Sequence, residues 1–251
     1  MTAALPRTFF LSWSGVGFTL LLAVSMTGCS ALNQKGHNHS KPSVRRAEVI
    51  ATAQAYCEHR WRASASNIKH GLDGRGIRVD TPDRDFRPDD GTRPGWWLPG
   101  EWNRGLPYQW GGFDTPQEFD RKVSRGLAAG DVYTPAKRAG LDHAVSFEAA
   151  GIDCSGLVSR CWRLPRSVST RELPQFCQRL SSYEDLLPGD ILNTTNAHVV
   201  IFAGWADAAH TQVRVYEAGC HPDWKVLRRR IRRDFLNEKG YVPYRYLGIR
   251  E

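Results

Sequence analysis

Cys154 stands in Gly151-Ile152-Asp153-Cys154-Ser155-Gly156-Leu157-Val158, where a polar turn gives way to an apolar run. A thiolate is a strong nucleophile, and a helix N-terminus is one of the environments that favours it over the thiol. Attack on a carbonyl also needs a base that takes the thiol proton and returns it to the leaving group, and a third group that orients the base. Of the eight histidines, His37 and His39 fall in a polar linker, His59 and His70 in or after a first helix, and His143 in a loop. His210 falls in a turn and His221 follows a strand. His198 differs, because it opens a buried apolar strand over 197–204, after a loop punctuated by Pro188-Gly189-Asp190.

On the following strand, 212–218, Val213, Val215 and Glu217 share one face, so a carboxylate continues an apolar row. A buried carboxylate needs a partner. A hairpin turning near Asp207 and Ala208 sets Phe202 against Val213, Val200 against Val215 and His198 against Glu217. Opposed Cβ atoms are about 4.5–5.5 Å apart, so Glu217 would hold one imidazole nitrogen and leave the other to Cys154. The alternative is an ion pair that only closes a sheet end.

These residues need elements to hold them. Val49, Ile50, Ala53, Tyr56, Cys57 and Trp61 recur at helical spacing, which predicts a helix running to 61 with Ser43 or a neighbour as its cap. Residues 64–107 are rich in Gly, Pro, Asp and Trp and read as long loops with aromatic anchors. Trp96, Trp97 and Trp102 are either core pieces of that layer or a sugar- or peptide-binding rim. Residues 115–126 predict a short helix with Thr115 as cap, Pro116 at its first position and Gly126 ending it. The cysteine helix covers about 154–162, and a basic segment 225–232 and a Tyr-rich end 241–247 join the two strands in a sheet. Helices and loops, one central helix and then neighbouring strands predict an α+β fold, the nucleophile helix packed on an antiparallel sheet.

The chain has 251 residues, 41% hydrophobic and 24% charged, which excludes a disordered or fibrous protein. Its net charge of +8 suits polyanionic surroundings: acidic lipid, cell-wall polymer or nucleic acid. Arg7 is the only charged residue in the first 28, and the apolar run from Val16 to Val24 is too short to span a bilayer. Met26-Thr27-Gly28-Cys29 resembles the lipobox of bacterial lipoproteins, which implies lipidation of Cys29 and a membrane anchor. An ordinary signal peptide or an N-terminal anchor helix are the other readings. Ser30 favours an outer-membrane anchor facing the periplasm, by resemblance to sorting in bacteria with two membranes. The expected plan is a signal peptide (1–28), a tether (29–43) and an N-terminal helix with a loop-rich extension (44–106). A catalytic domain follows at 107–251, with an insert at 113–150. His37 and His39 are read as tether rather than as a metal site.

Asp153-Cys154-Ser155-Gly156-Leu157-Val158 resembles the nucleophile motif of the NlpC-like family of papain-like cysteine peptidases. Pro107-Tyr108-Gln109-Trp110-Gly111-Gly112 is similar to the Tyr-x-Trp-Gly-Gly element that precedes it in that family. Pro188-Gly189-Asp190 and then His198-Val199-Val200-Ile201-Phe202-Ala203-Gly204 are similar to its base-bearing segment, and Glu217 stands where the third polar residue follows. The resemblance covers roughly 105–250. It implies a papain-like α+β core and amide hydrolysis in peptidoglycan stem peptides, usually between γ-D-glutamate and a diamino acid. It makes Cys154 the nucleophile, His198 base and then acid, and Glu217 the group that orients His198. Tyr108, Trp110, Asp153 and Ser155 are the substrate-contacting candidates, with aromatic packing the alternative for Tyr108. It implies no cofactor and no metal.

Two features depart from the family. The 113–150 interval, 38 residues, is longer than usual and puts specificity in question. Glu217 replaces the commoner His, Asn or Gln, a tolerable change because a carboxylate orients imidazole well. Two other readings remain: an amidase or acyltransferase of the same fold acting on another amide or a lipid, and a non-catalytic wall-binding lipoprotein. Cys57, Cys161, Cys177 and Cys220 allow up to two disulfides in three pairings, with Cys161 expected in the core. Arg228, Arg229, Arg230, Arg232 and Arg233 are read as a solvated edge strand or a contact for acidic stem peptides or lipid head groups, not as a nucleic-acid site.

Overall fold

The computed structural model describes residues 42–87, 95–219 and 223–251. The expected signal peptide, Cys29, the tether through Lys41 with His37 and His39, and Cys220 and His221 lie outside the described residues.

Helix α1 (Arg46–Glu58) buries Val49, Ala53 and Tyr56 along one stripe, and Glu48 accepts a hydrogen bond from the Arg45 N–H at 2.9 Å. It ends three residues before the expected Trp61. The chain turns extended at His59, and Arg60–Arg62 pairs antiparallel with Trp102–Arg104. Strand alternation then buries Trp61 and Asn103 and leaves Arg60, Arg62, Trp102 and Arg104 outside. Trp61 meets Phe119 edge-on at 5.0 Å and Trp97 at 5.7 Å, and its indole N–H donates to the Gly105 carbonyl at 2.9 Å. Trp97 is therefore core, whereas Trp102 is 63% exposed.

Helix α2 (Pro116–Ser124) starts as its sequence predicts. The Thr115 hydroxyl accepts from the Glu118 N–H at 3.1 Å, and the Glu118 carboxylate accepts from the Thr115 N–H at 2.7 Å. Gly126, with φ at +85°, ends the turn that follows. The insert goes on to α3 (Pro135–Gly140) and is pinned at its base by the parallel pair Ala128–Ala129 and Ala149–Ala150. A buried ion pair, Lys137 Nζ to Asp131 Oδ2 at 2.7 Å, fixes its middle.

Helix α4 (Cys154–Cys161) buries every residue except Arg160. It precedes six strands: β1 (Cys177–Arg179), β2 (Ile191–Thr194), β3 (His198–Trp205), β4 (Gln212–Gly219), β5 (Lys225–Arg232) and β6 (Val242–Tyr246). Helix α5 (Arg233–Glu238) lies between β5 and β6. The strands form one sheet in the order β5-β4-β3-β2-β6-β1, antiparallel throughout, with β5 at an edge. This is an α+β architecture. Val199, Ile201, Tyr216 and Ala218 face a core shared with Leu157 and Val158 of α4 and with Val49 and Tyr56 of α1. Val44, Trp61, Phe86, Trp97 and Leu106 join them, so the described part of 44–106 packs into the same core as α4. Val200, Phe202, Val213 and Val215 face a second layer closed by Leu236.

The β3–β4 register differs from the expected one by two residues. Phe202 pairs with Val215 and Ile201 with Tyr216, and a bulge between Phe202 and Gly204 then sets Gly204 against Arg214 and Trp205 against Val213. The loop is longer than a tight hairpin turn because the Asp207 carboxylate accepts from the Thr211 N–H at 2.9 Å and the Gln212 N–H at 2.8 Å.

Candidate active site

His198 is the first residue of β3, so its ring sits at the end of the sheet rather than within it. Its Nε2 lies 2.6 Å from Glu217 Oε2. Carried along the strands, the observed register sets Glu217 against Val200, so the contact is diagonal. Diagonal positions on one face are about 7–8 Å apart, a distance that histidine and glutamate side chains span. Glu217 is only 5% exposed and lies behind the imidazole, away from solvent.

Cys154 is the first residue of α4 and is buried. Burial alone would strip the proton from His198. The charge and hydrogen bond of Cys154, then those of Glu217, outweigh burial and hold the imidazole pKa well above its ordinary value. Glu217 Oε2 occupies Nε2, which leaves Nδ1 as the nitrogen available to the thiol. Burial pushes the Glu217 carboxyl up, but the hydrogen bond and charge of His198 and the charge of Arg229 bring it below the ordinary carboxylate value.

Asp153 caps α4. Its Oδ1 accepts from the Gly156 N–H at 2.5 Å and from the Ser155 hydroxyl at 3.0 Å, and burial raises its pKa to about 6. The segment around Tyr108 runs beside this cap. The Gln109 N–H donates to the Ile152 carbonyl at 3.2 Å, the Ile152 N–H to Pro107 at 3.2 Å and the Asp153 N–H to Gly112 at 3.1 Å. Gly156 permits that approach, because a Cβ there would stand 2.3 Å from the Gly112 oxygen. Tyr108 is 4% exposed and meets Trp224 at 6.1 Å. Trp110 donates its indole N–H to the Leu141 carbonyl at 3.1 Å and meets Tyr133 edge-on at 5.6 Å.

A cleft of about 370 Å³ opens onto this group, and Cys154, His198, Tyr108, Trp110, Asp153 and Ser155 all line it. Glu217 is not among its lining residues; it supports His198 from behind. The insert supplies a wall of Tyr133, Arg138, Leu141, Asp142 and Val145, and Ser169, Thr170 and Arg171 supply another. Arg138 donates to the Asn196 carbonyl, which ties the insert to the loop just before His198. None of these wall residues was legible from periodicity; the unusual length of the insert was the only sign.

Sequence reasoning also missed Arg229. Its Nε lies 2.5 Å from Glu217 Oε1, and its Nη2 pairs with Asp223. The expected solvated row of arginines is thus corrected at this position, because the β4–β5 register sets Arg229 against Val215, on the Glu217 face. Arg228 points to the other side and lies over the Tyr216 ring at 5.9 Å.

Cys57 and Cys161 carry free thiols, so neither takes part in the disulfides their number allows. Cys161 is fully buried in the core, and burial pushes its pKa up. Among the described residues, no group of three His, Cys, Asp or Glu side chains is placed to hold a metal ion. No described helix is long and apolar enough to cross a membrane. No protein-family model and no curated protein matches this chain.

Proposed function

We propose that this protein is an envelope cysteine hydrolase with a papain-like, NlpC-type core that cleaves amide bonds in peptidoglycan stem peptides, at a γ-D-glutamyl–diamino acid bond. The observation that carries the reading is His198, with Glu217 on Nε2 and with Cys154 lining the same open cleft. In this mechanism His198 takes the Cys154 proton as Sγ attacks the amide carbonyl. The oxyanion is met by the Cys154 backbone N–H at the start of α4. Collapse of the tetrahedral intermediate breaks the C–N bond, and His198 gives its proton to the leaving amine. Water, deprotonated by His198, then attacks the thioester and releases a carboxylate and the free thiol. General acid–base work of this kind contributes roughly 10²–10⁴-fold. Tyr108, Trp110, Asp153 and Ser155 line the bound peptide, and a lipid on Cys29 anchors the chain at the envelope, outer-membrane side.

The insert favours one second reading. Tyr133, Leu141 and Val145 add apolar surface to the cleft, which suits an amidase or acyltransferase acting on another amide or a lipid. Incubation with purified muropeptides, comparing wild type with Cys154→Ala, tests both. Product that disappears in the variant supports peptidoglycan hydrolysis. Rapid alkylation of Cys154 without muropeptide turnover supports the second reading. Neither alkylation nor turnover rejects a catalytic role.

A further inference from the structure

The Glu217 carboxylate has two oxygens and two partners. Oε2 meets His198 Nε2 at 2.6 Å, and Oε1 meets Arg229 Nε at 2.5 Å. Arg229 comes from β5, the edge strand, and its own place is fixed from the far side by Asp223. A carboxylate 5% exposed and held at one oxygen only can rotate about its last torsion, and it carries a charge that a single imidazole must balance. With the guanidinium in ion-pair contact at the other oxygen, though with no aligned N–H···O bond there, the carboxylate presents Oε2 to the imidazole and stays ionised. We infer that Arg229 is a positioning residue of the catalytic group, one that clamps Glu217 from the adjacent strand and thereby sets the orientation and charge of His198. The inference rests on Cys154 being a nucleophile activated by His198, whatever amide it attacks.

The surroundings agree with a clamp rather than a surface ion pair. Arg229 is one-third exposed along its side chain while Glu217 is 7% exposed, so the ion pair is shielded on the carboxylate side. Two anions, Glu217 and Asp223, bracket one guanidinium, so the cation balances a buried charge that His198 alone would face. The diagonal β3–β4 contact makes the clamp necessary. A directly opposed pair is held by strand geometry, whereas a diagonal one depends on side-chain torsions that other contacts must fix.

The test is the pH dependence of Cys154 alkylation by iodoacetamide, read at the Cys154 peptide by mass spectrometry, because it needs no wall substrate. Arg229→Gln should slow alkylation at neutral pH by roughly tenfold, the population change that about one pKa unit produces, and move the acid limb to higher pH. Arg229→Lys should restore most of the rate, since it returns the charge without the fork. Arg229→Gln combined with Glu217→Gln should be no slower than Glu217→Gln alone, because the arginine acts through the carboxylate. Arg228→Ala, on the opposite face of the same strand, should leave the profile unchanged. An Arg229→Gln protein with a wild-type melting temperature and a wild-type alkylation profile would overturn the inference, as would additive losses in the double variant. If Arg229→Gln lowers the melting temperature, a normal profile in Arg229→Lys together with an additive double variant reduces the role to folding and equally overturns it. Muropeptide turnover is a separate readout, so failure of the peptidase proposal leaves this result standing.

Discussion

His198 and Glu217 meet across a diagonal: Nε2 stands 2.6 Å from Oε2, although the strand register sets Glu217 against Val200. The pair depends on side-chain length and on the charges around it rather than on strand pairing alone. Its protonation follows from those charges, and so does its response to pH.

The first expectation concerns that response. The His198 pKa is held above its ordinary value, so the protonated imidazole, which the proposed mechanism needs to expel the amine, persists past about pH 6.5 and is lost as pH rises through the folded value. The stability this group contributes has the same sign: it is complete below the unfolded pKa and lost above the folded one. Glu217→Gln removes a charge that raises the imidazole. The basic limb of kcat/KM should therefore move to lower pH by about one unit or more, with kcat reduced by roughly 10²-fold or more. A pH–rate profile with an unmoved basic limb would sink the assignment of Glu217.

Asp153 gives an expectation about stability. Its folded pKa, about 6, lies above the unfolded value near 3.9, so the folded chain loses stability as pH rises between the two. Asp153→Asn keeps an acceptor for the Gly156 N–H and removes the charge. It should melt no lower than wild type at pH 8, and any advantage should vanish at pH 4. Asp153→Ala loses the cap and should cost about 1 kcal/mol at pH 4, and less at pH 8, where it also removes the buried charge. Thermal melts of the two variants at both pH values decide this.

Lys137 and Asp131 form a buried pair within the insert, 3% and 0% exposed. Burial raises the Asp131 pKa to about 7 even against the pull of Lys137. Lys137→Met leaves that carboxylate without its cation and should cost about 3–5 kcal/mol at pH 8. At pH 5 Asp131 takes up a proton, so the cost should be smaller. Urea unfolding at the two pH values measures the difference; equal losses would mean that the carboxylate is not the source.

Arg138 ties the insert to the Asn196 carbonyl, two residues before His198. Arg138→Ala should loosen one wall of the cleft while leaving Cys154, His198 and Glu217 in place. A charged hydrogen bond is worth about 1.5–3 kcal/mol, so KM for the cleaved peptide should rise about tenfold with kcat little changed. A loss confined to kcat would instead place Arg138 in the chemistry.

The sequence by itself determined the local parts of this protein. Thr115, Pro116 and Glu118 start α2 through contacts within three residues of one another, and Asp153 and Gly156 do the same for α4. A continuous apolar run marks β3 and alternating apolar residues mark β4, and the chemistry of cysteine, histidine and glutamate singles out Cys154, His198 and Glu217. These features are legible because capping and strand alternation act over a few residues, and reactivity belongs to the side chain itself. The tertiary structure alone decided what depends on distant segments meeting. The β3–β4 register turns on one bulge and on the side chain of Asp207. Trp61 left the helix because a strand from residues 102–104 offered it a partner and a buried face. Arg229 became a partner of Glu217 because the pairing of β5 with β4 points it toward that carboxylate, while Arg228, one residue earlier, points away. The insert became a cleft wall because Ala128–Ala129 pairs with Ala149–Ala150, which fastens its middle to its C-terminal end just before α4. Local propensity has no term for such pairings, since each is fixed by packing between segments far apart in the chain.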